Sequence, residues 1–477
     1  MNRCSLGLAL ALPCLGLPVA CATGGVVDET IPDAGAEAGP GWFGDSAPPA
    51  GSLHAPARIV EIAAASDHVC ARLADDRVYC WGDLQDNVCD SVAGQKWPTP
   101  RLFRALSYRG ITQLALASPR CGLLSSGHVL CWGTYIPQVL GTGSVDVSSD
   151  QGCSWNACGP AGGNFALSPC AEPTEVPIDR VTGISTGKEH VCALRNDGTV
   201  WCWGWNTILQ SYPDVQWTAA FMAQHGGSEP DFIGPPRQVP LVSGAVDVQS
   251  STGSCARFGD GTAACWGGDI PPGPPGVEEG NGIHLGDYDL PVRTVPLDNV
   301  AQVTLGDYAA FALRGDGAVY EFGFGPGRTP IEPLAILDLA GASRLFATPW
   351  DDIVASSGVR NGQYLAALFR DGTVRVRNVA ISEVVHDQSG AALISADGGY
   401  VTSQEKFASA VPVGKLVGVA GVSMVAAAEQ VLCVVIGTDE VLCVGNNAFG
   451  QLGRGTVGFA SQEVAPVIWP PEVGATQ

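Results

Sequence analysis

From Ile59 to about residue 470 the chain repeats one pattern: a short apolar-rich run, a tight polar turn, and a second run in which apolar and polar positions alternate. The clearest copy is HVCALRNDGTVWCWG, His190–Gly204. A period of two puts alternate side chains on opposite faces of a strand, and two such runs around a Gly-containing turn read as a β-hairpin. Asn196-Asp197-Gly198 suits a three-residue loop with Gly in the left-handed bulge conformation. In that register Arg195 faces Thr199, and Cys192 faces Cys202. Related runs begin at Ile59, Ile111, Ala245 and Val300, with weaker copies at 364–376, 389–403 and 431–445.

That makes eight hairpins. Most are followed by a short Pro/Val stretch that can supply a further strand: 98–103, 172–178, 235–241, 290–297, 329–336, 410–415 and 464–470. There are seven of these. The hairpins turning at Gly372 and Gly398 are only 26 residues apart and have no such stretch between them. They are therefore merged into one unit, giving seven; kept apart, they would give eight. Repeated four-stranded antiparallel units of this size predict an all-β, seven-bladed β-propeller, with an open solenoid as the alternative. A ring needs a seam, and Val464–Trp469 is expected to close it against the strands near Ile59. The 62 Gly and 34 Pro of the 477 residues exclude a long-helix architecture.

Cysteine spacing sharpens the picture. Cys70/Cys80, Cys121/Cys131, Cys192/Cys202, Cys255/Cys265 and Cys433/Cys443 all share one separation and one repeat position. Directly opposed residues on antiparallel strands lie about 4.5–5.5 Å apart at Cα, a distance a disulfide tolerates. These ten are expected to form disulfides within hairpins. Of the 17 cysteines, Cys4 and Cys14 fall in the apolar N-terminal run, and Cys89, Cys153, Cys158 and Cys170 remain as two further bridges of undetermined pairing. A zinc site is the competing reading for these four, but Cys153-x4-Cys158 lacks the usual ligand spacing. So many cysteines imply an oxidising compartment.

The N-terminus supplies a route there. Met1-Asn2-Arg3 precedes an apolar run, Leu6–Val19, of signal-peptide length. LPVAC, Leu17–Cys21, resembles the lipobox of bacterial lipoproteins, with Leu17 one position early and Pro18 in its usual place. The resemblance implies a signal peptide over 1–20 and lipid on Cys21, with cleavage after Ala20 or Ala22 and release of the chain as the plain alternative. Residues 21–57, rich in Gly, Ala, Pro and acid, read as a disordered acidic tether. The propeller then covers 58–470, with a tail at 471–477. The expected location is the cell envelope, lipid-anchored to a bacterial membrane. A net charge of −22 repels phosphate backbones, so no nucleic-acid partner is expected.

GNNAFGQLGRG (445–455) after VLCVG, with the xxHxCALxxDGxVxCWG pattern, resembles the regulator of chromosome condensation repeat family, its bacterial members in particular. Only the last unit keeps the whole GQLG loop. The resemblance covers about 58–470 and implies a seven-bladed propeller. It implies far less about function, because the family includes chromatin-bound exchange factors, a secreted β-lactamase inhibitor and many exported proteins of unassigned role.

Catalytic signals are poor. GISTG (183–187) matches G-x-S-x-G, but it lies in a strand entering a hairpin and not in the strand–turn–helix that motif requires. His68 and His190 share one repeat slot and read as structural. Asp351-Asp352 reads as a solvated loop. Neither a cofactor nor a metal is expected. Trp81, Trp132, Trp203 and Trp266 recur at one slot and are expected between blades. Insertions fall after the CWG position in the first four units, at roughly 83–97, 134–171, 205–234 and 268–289, and so crowd one face of the ring. They carry Tyr135, Trp155, Trp205, Tyr212, Trp217 and Phe232, candidate contacts for a protein or glycan partner; packing of the loops against one another is the plainer role. The chain therefore reads as a monomeric, non-enzymatic binding scaffold. An inhibitor of an extracellular enzyme is the alternative, and an exported hydrolase or lyase the third option.

Overall fold

The computed structural model describes residues 51–471, apart from 66, 84–95, 118, 134–139, 143–172, 207–209, 214–231, 268–291, 307–308, 325–329, 349–363, 379–380, 385–401, 406–410 and 429. Seven four-stranded antiparallel sheets form the blades, spanning 59–102, 111–176, 181–238, 245–294, 300–335, 342–415 and 422–466. Blade 3 shows the plan: Val181–Thr186 innermost, then His190–Arg195, Val200–Trp205 and Phe232–Gln238 outermost. The innermost strands of all seven blades line one central channel of about 550 Å³.

The hairpin register is the one its turn dictates. The Gly198 N–H donates to the Arg195 carbonyl at 2.9 Å, and Asp197 Oδ1 accepts from Thr199 N and Oγ1. Gly198 holds φ at +78°, the conformation glycine tolerates best. Val200 then opposes Leu194, and Cys202 opposes Cys192. The Gly of the CWG motif has its own reason. A Cβ on Gly204 would lie 2.4 Å from the Glu189 carbonyl oxygen, where the third strand crosses the end of the second.

Between blades the third strand alternates its cargo. Its Trp points to the preceding blade and its Cys to the following one. Trp132 of blade 2 shares a core with Cys70, Cys80 and Phe103 of blade 1, the two rings meeting edge-on at 6.1 Å. Trp203 meets Cys121 and Cys131. Trp266 meets Cys192 and Cys202, and Phe322 takes the Trp place beside Cys255 and Cys265. Across the seam, Trp81 of blade 1 shares a core with Cys433 and Cys443 of blade 7. All four CWG tryptophans are at most 1% exposed. Between blades 5 and 6 the cysteine position is Phe311/Glu321, and Phe311 itself packs there with Leu313, Leu345, Leu365 and Ala367.

The ring closes differently from a shared strand. Ser461–Pro466 stays in blade 7 beside the 440–445 strand, where Ala465 opposes Cys443. Beyond it, Trp469 is fully buried, 5.7 Å from Tyr79 and 5.9 Å from Trp81 of blade 1 in edge contacts. Its backbone exchanges two hydrogen bonds with Ser52, and Ala55 and Ile59 donate to Asp439 and Thr438. Residues 51–57, grouped with the tether by composition, thus begin the ordered propeller, because their backbone pairs with blade 7. Most of the hairpin expected at 389–403 lies outside the described residues; its end, at Thr402–Glu405, pairs with Ile381–Val384 in a two-stranded sheet inserted within blade 6. Blade 6 takes its outermost strand from Gly414–Lys415. No helix of the described residues is long and apolar enough to cross a membrane.

Trp469→Ala removes the aromatic that both chain ends enclose. It is expected to cost about 3–5 kcal/mol, read as a lowered urea midpoint. Tyr108→Ala, at a 68% exposed side chain, should leave that midpoint nearly unchanged.

Candidate functional site

Strand direction divides the ring into two faces. Turns between second and third strands, and the connections to the next blade, lie on one; we call it the turn face. Turns between first and second strands, and the segments joining third to outermost strands, lie on the other, the loop face. The third and outermost strands frame those segments at Asp83/Lys96 in blade 1, Trp132/Thr174 in blade 2, Trp205/Phe232 in blade 3 and Trp266/Val292 in blade 4. Blades 6 and 7 add others, through 379–413 and 446–460, beyond the four expected.

Of the six candidate aromatics, Tyr135, Trp155 and Trp217 lie outside the described residues. Trp205 is half-buried, with the Lys188 ammonium 4.9 Å from its ring centroid, and its backbone pairs with Phe232. Tyr212 is half-buried beneath the Arg237 guanidinium at 5.9 Å. A cation over an aromatic face is held by the ring quadrupole. Both rings are thus steadied by cations of their own blade while keeping an open edge.

Beside them is a device the sequence shows only in part. Asn447 Oδ1 accepts from the Leu452 N–H at 3.1 Å, and the Gln451 carbonyl accepts the Trp81 indole N–H at 2.9 Å. Asn206 and Gln210 repeat this in blade 3. Asn206 Oδ1 accepts from Ser211 and Tyr212, and the Gln210 carbonyl accepts the Trp266 indole N–H at 3.0 Å. The shared signal is Asn-x3-Gln, overlooked in NTILQ because the glycines around it are gone. Each copy satisfies a buried indole donor of the next blade. The loop of 445–455 therefore faces blade 1, with Lys96 Nζ donating to the Ala448 carbonyl at 2.7 Å.

All five cysteine pairs are directly opposed in register, with sulfurs at bonding distance, compatible with disulfides. The Cα separations are 4.1 Å for Cys70/Cys80, 4.2 Å for Cys121/Cys131, 4.2 Å for Cys192/Cys202, 4.0 Å for Cys255/Cys265 and 4.1 Å for Cys433/Cys443. These fall below the range expected from the ladder alone, because the short sulfur bridge draws the strands together. Each pair packs against the next blade's aromatic. Cys443 has a further partner, since its carbonyl accepts from the Arg454 guanidinium at 2.6 Å and so ties the 445–455 loop to its own blade. Cys89, Cys153, Cys158 and Cys170, and the lipidation candidate Cys21, lie outside the described residues.

The histidine slot stitches neighbours together. His190 is fully buried; Nε2 lies 2.9 Å from Ser254 Oγ of blade 4, and Nδ1 lies 3.1 Å from the Lys188 carbonyl. Burial pushes its pKa down to about 4. His68 Nδ1 lies 2.6 Å from Asp67, whose other oxygen meets Arg120 of blade 2 at 3.4 Å. Burial acts to raise the Asp67 pKa, but His68 and Arg120 outweigh it and hold the carboxyl below its ordinary value. Tyr364 fills the slot in blade 6 and donates to the Val431 carbonyl of blade 7 at 2.6 Å.

The channel is lined in the same spirit. The third position of the innermost strands carries Glu61, Gln113, Gly183, Asp247, Gln302, Arg344 and Met424. Gln113 brackets both backbone groups of Ile184, at 2.8 and 3.0 Å, and Gln302 those of Leu345, at 2.7 and 2.9 Å. Glu61 accepts from Leu114 N and Arg72 Nε; burial raises its pKa despite them. Much of the polar lining is thus committed to joining blades. GISTG is an ordinary antiparallel strand whose Ser185 Oγ accepts from Ser250 N at 2.8 Å. Asp351 and Asp352 lie outside the described residues. Among the described residues no group of His, Cys, Asp or Glu is placed to hold a metal ion.

A ring of seven four-stranded antiparallel blades defines a seven-bladed β-propeller, and its similarity to known proteins makes it RCC1-like. The profile of the regulator of chromosome condensation (RCC1) repeat matches at 59–89 and 181–207. Protein pim1 of Schizosaccharomyces pombe is 25% identical over 277 residues, covering 54% of this chain and 45% of pim1, so the chain matches under half of that relative. Among solved structures, a chain of Kap60 bound to yeast RCC1 (Prp20) aligns with TM-score 0.54 and 15% identity, over 92% of this chain and 91% of that one. Prp20p from Saccharomyces cerevisiae aligns with TM-score 0.40 and 21% identity, over 58% and 63%.

His190 sets a pH dependence. The unfolded imidazole titrates near its ordinary value and the folded one near 4, so below about pH 6.5 the unfolded chain binds the extra proton. This contribution is complete above pH 6.5 and is lost as pH falls towards 4, by about 3 kcal/mol at most. Urea midpoints should fall across that window in the wild type and more shallowly in His190→Gln. Cys192→Ala/Cys202→Ala should cost about 3 kcal/mol or less. Peptide mapping of unreduced protein should recover each cysteine joined to its partner ten residues away, Cys433 to Cys443 included.

Proposed function

We propose that this chain is a non-enzymatic binding scaffold of a bacterial cell envelope, exported and held by lipid on Cys21, whose loop face engages a protein or glycan. The observation that carries the reading is geometric. Blades 1–4, 6 and 7 each open the junction between third and outermost strand onto one face of a rigid ring. Chain lengthened on one side of a stiff framework is where recognition concentrates. Trp205 and Tyr212, half-buried with cations over their rings, suit the rim of such a surface.

Other features support the address. Opposed cysteine pairs favour an oxidising compartment. Residues 52–55, among the first described, fasten to Trp469, Asp439 and Glu440 on the turn face, the side away from the loops. A propeller of this fold is partnered by Kap60 in the yeast complex, a precedent for the fold and not for the identity of this chain's partner.

The test is affinity capture from envelope extracts with the full chain, and with variants lacking 134–171 or 205–234. A partner retained by the full chain and lost from both variants is the expected result. Capture unaffected by either deletion overturns the reading. A captured secreted enzyme that loses activity in the complex would recast the scaffold as an inhibitor. Mass spectrometry of the mature N-terminus should find acylated Cys21; a free N-terminus after Ala20 or Ala22 would refute the anchor.

A further inference from the structure

The repeat slots make one junction unlike the rest. In the third strand of blade 6, Val376 opposes Ala366 as Cys202 opposes Cys192, and Arg377 opposes Leu365 as Trp203 opposes Val191. Arg377 therefore holds the tryptophan place. Its guanidinium lies 2.6 Å from Asp338 Oδ1 in the connection from blade 5, so it is turned towards that blade. Blade 5 answers with Glu321 in the second cysteine place. Charges thus occupy both places that hold a cysteine pair and an aromatic at five other junctions. Between blades 6 and 7 the same places hold Ala366, Val376 and Val444, all in one apolar cluster.

Polarity at the 5–6 junction is also reversed. In blades 1, 3 and 4 the cysteine is inside, and an arginine stands opposite it on the outermost strand: Arg101, Arg237 and Arg293. In blade 5 the charge is inside. Glu321 is half-buried, and Leu334 stands opposite it at 63% exposure. Burial raises the Glu321 pKa, while the charge of Arg377 opposes the rise. A half-buried carboxylate gives up hydration when two blades meet and regains it when they part. An indole and a disulfide do the reverse, because parting them puts apolar surface into water. The slots that resist separation elsewhere therefore favour it here.

The ties that remain are unevenly placed. Beside the channel, Gln302 clasps Leu345, and Thr304 Oγ1 accepts from Ala347 N at 3.3 Å. Phe311 packs next to them with Leu313, Leu345, Leu365 and Ala367. At the rim, Arg375 and Arg377 reach Asp338, and all three are exposed. Exposed pairs of this kind hold weakly. Neither flanking hairpin has a cysteine pair.

We propose that the junction of blades 5 and 6 is an opening joint built into the ring, parting from the rim inward while the innermost strands stay clasped. It stands or falls independently of the loop-face reading.

The repeat supplies its own reporters. Ala71, Ala193, Ala256, Ala312 and Ala367 occupy one slot, next to the first cysteine place, and each is 0% exposed against the preceding blade. Val434 holds that slot in blade 7, against blade 6. Each is replaced singly by Cys in the full chain with its native disulfides. Labelling by N-ethylmaleimide is followed site by site by mass spectrometry, well below the urea midpoint of each variant. The thiol of Ala367→Cys should label at least about tenfold faster than any of the others. In that background, Glu321→Leu/Arg377→Trp restores an apolar pair and should slow labelling at least about tenfold. Glu321→Gln removes the charge at nearly constant size and should slow it in the same direction. Labelling of Ala71→Cys as fast as Ala367→Cys would place the opening at the seam. Equally fast labelling of Val434→Cys would mean that blade 6 loosens as a whole. Either result overturns the proposal, as does labelling of Ala367→Cys that neither Glu321 variant slows.

Discussion

At four of its seven blade junctions the fold depends on the contact between one blade's opposed cysteines and the next blade's indole. A four-stranded sheet of this size cannot bury both its faces alone, and each blade becomes stable only when sandwiched. The third strand solves this with two adjacent positions, one on each face: Cys forward, Trp backward. The indole N–H then needs an acceptor, and in blades 4 and 1 it finds a carbonyl of the preceding blade's Asn-x3-Gln loop. Apolar packing and a directed hydrogen bond thus converge on one side chain, which fixes the angle between blades as well as their association.

Around that contact the neighbouring polar groups have been recruited to the same end. Gln113 and Gln302 clasp the backbone of the next blade along the channel wall, while His190 and Tyr364 reach to the next blade near the loop face. Such groups are hydrogen-bonded because an unsatisfied buried donor or acceptor costs about 1–3 kcal/mol. Much of the polar chemistry of the channel wall is thus spent on cohesion. The two faces differ in kind: long segments join third to outermost strands on one, and short, tightly held turns join the blades on the other.

Much of this was legible in the sequence. The turn Asn196-Asp197-Gly198 specifies its register, and register specifies that Cys192 opposes Cys202. The same spacing placed Cys433 opposite Cys443 in a copy whose turn has a different composition. The recurrent Pro/Val stretches gave the blade count because an outermost strand can tolerate proline. Less could be read where partners are distant in sequence. Ser52 meets Trp469 through backbone alone, which leaves no residue signature. Thr402–Glu405 pairs with Ile381–Val384, although local pattern favoured a turn at Gly398. The candidate aromatics were found by composition. What holds Trp205 and Tyr212, namely Lys188 and Arg237 from elsewhere in the blade, required three dimensions.

The clasp formed by Ser52, Ala55 and Trp469 has a temporal side. Hairpins are local and can form as soon as they emerge, and each new blade can pack on the one before. The circle itself joins the first described residues to the last, so it is completed only after Trp469 is available. Until that moment blade 1 exposes Tyr79 and Trp81 at an uncovered edge. Because a chain is synthesised from its N-terminal side, the sticky edge appears first and its lid last, so the interval of greatest aggregation hazard runs until the seventh blade is made.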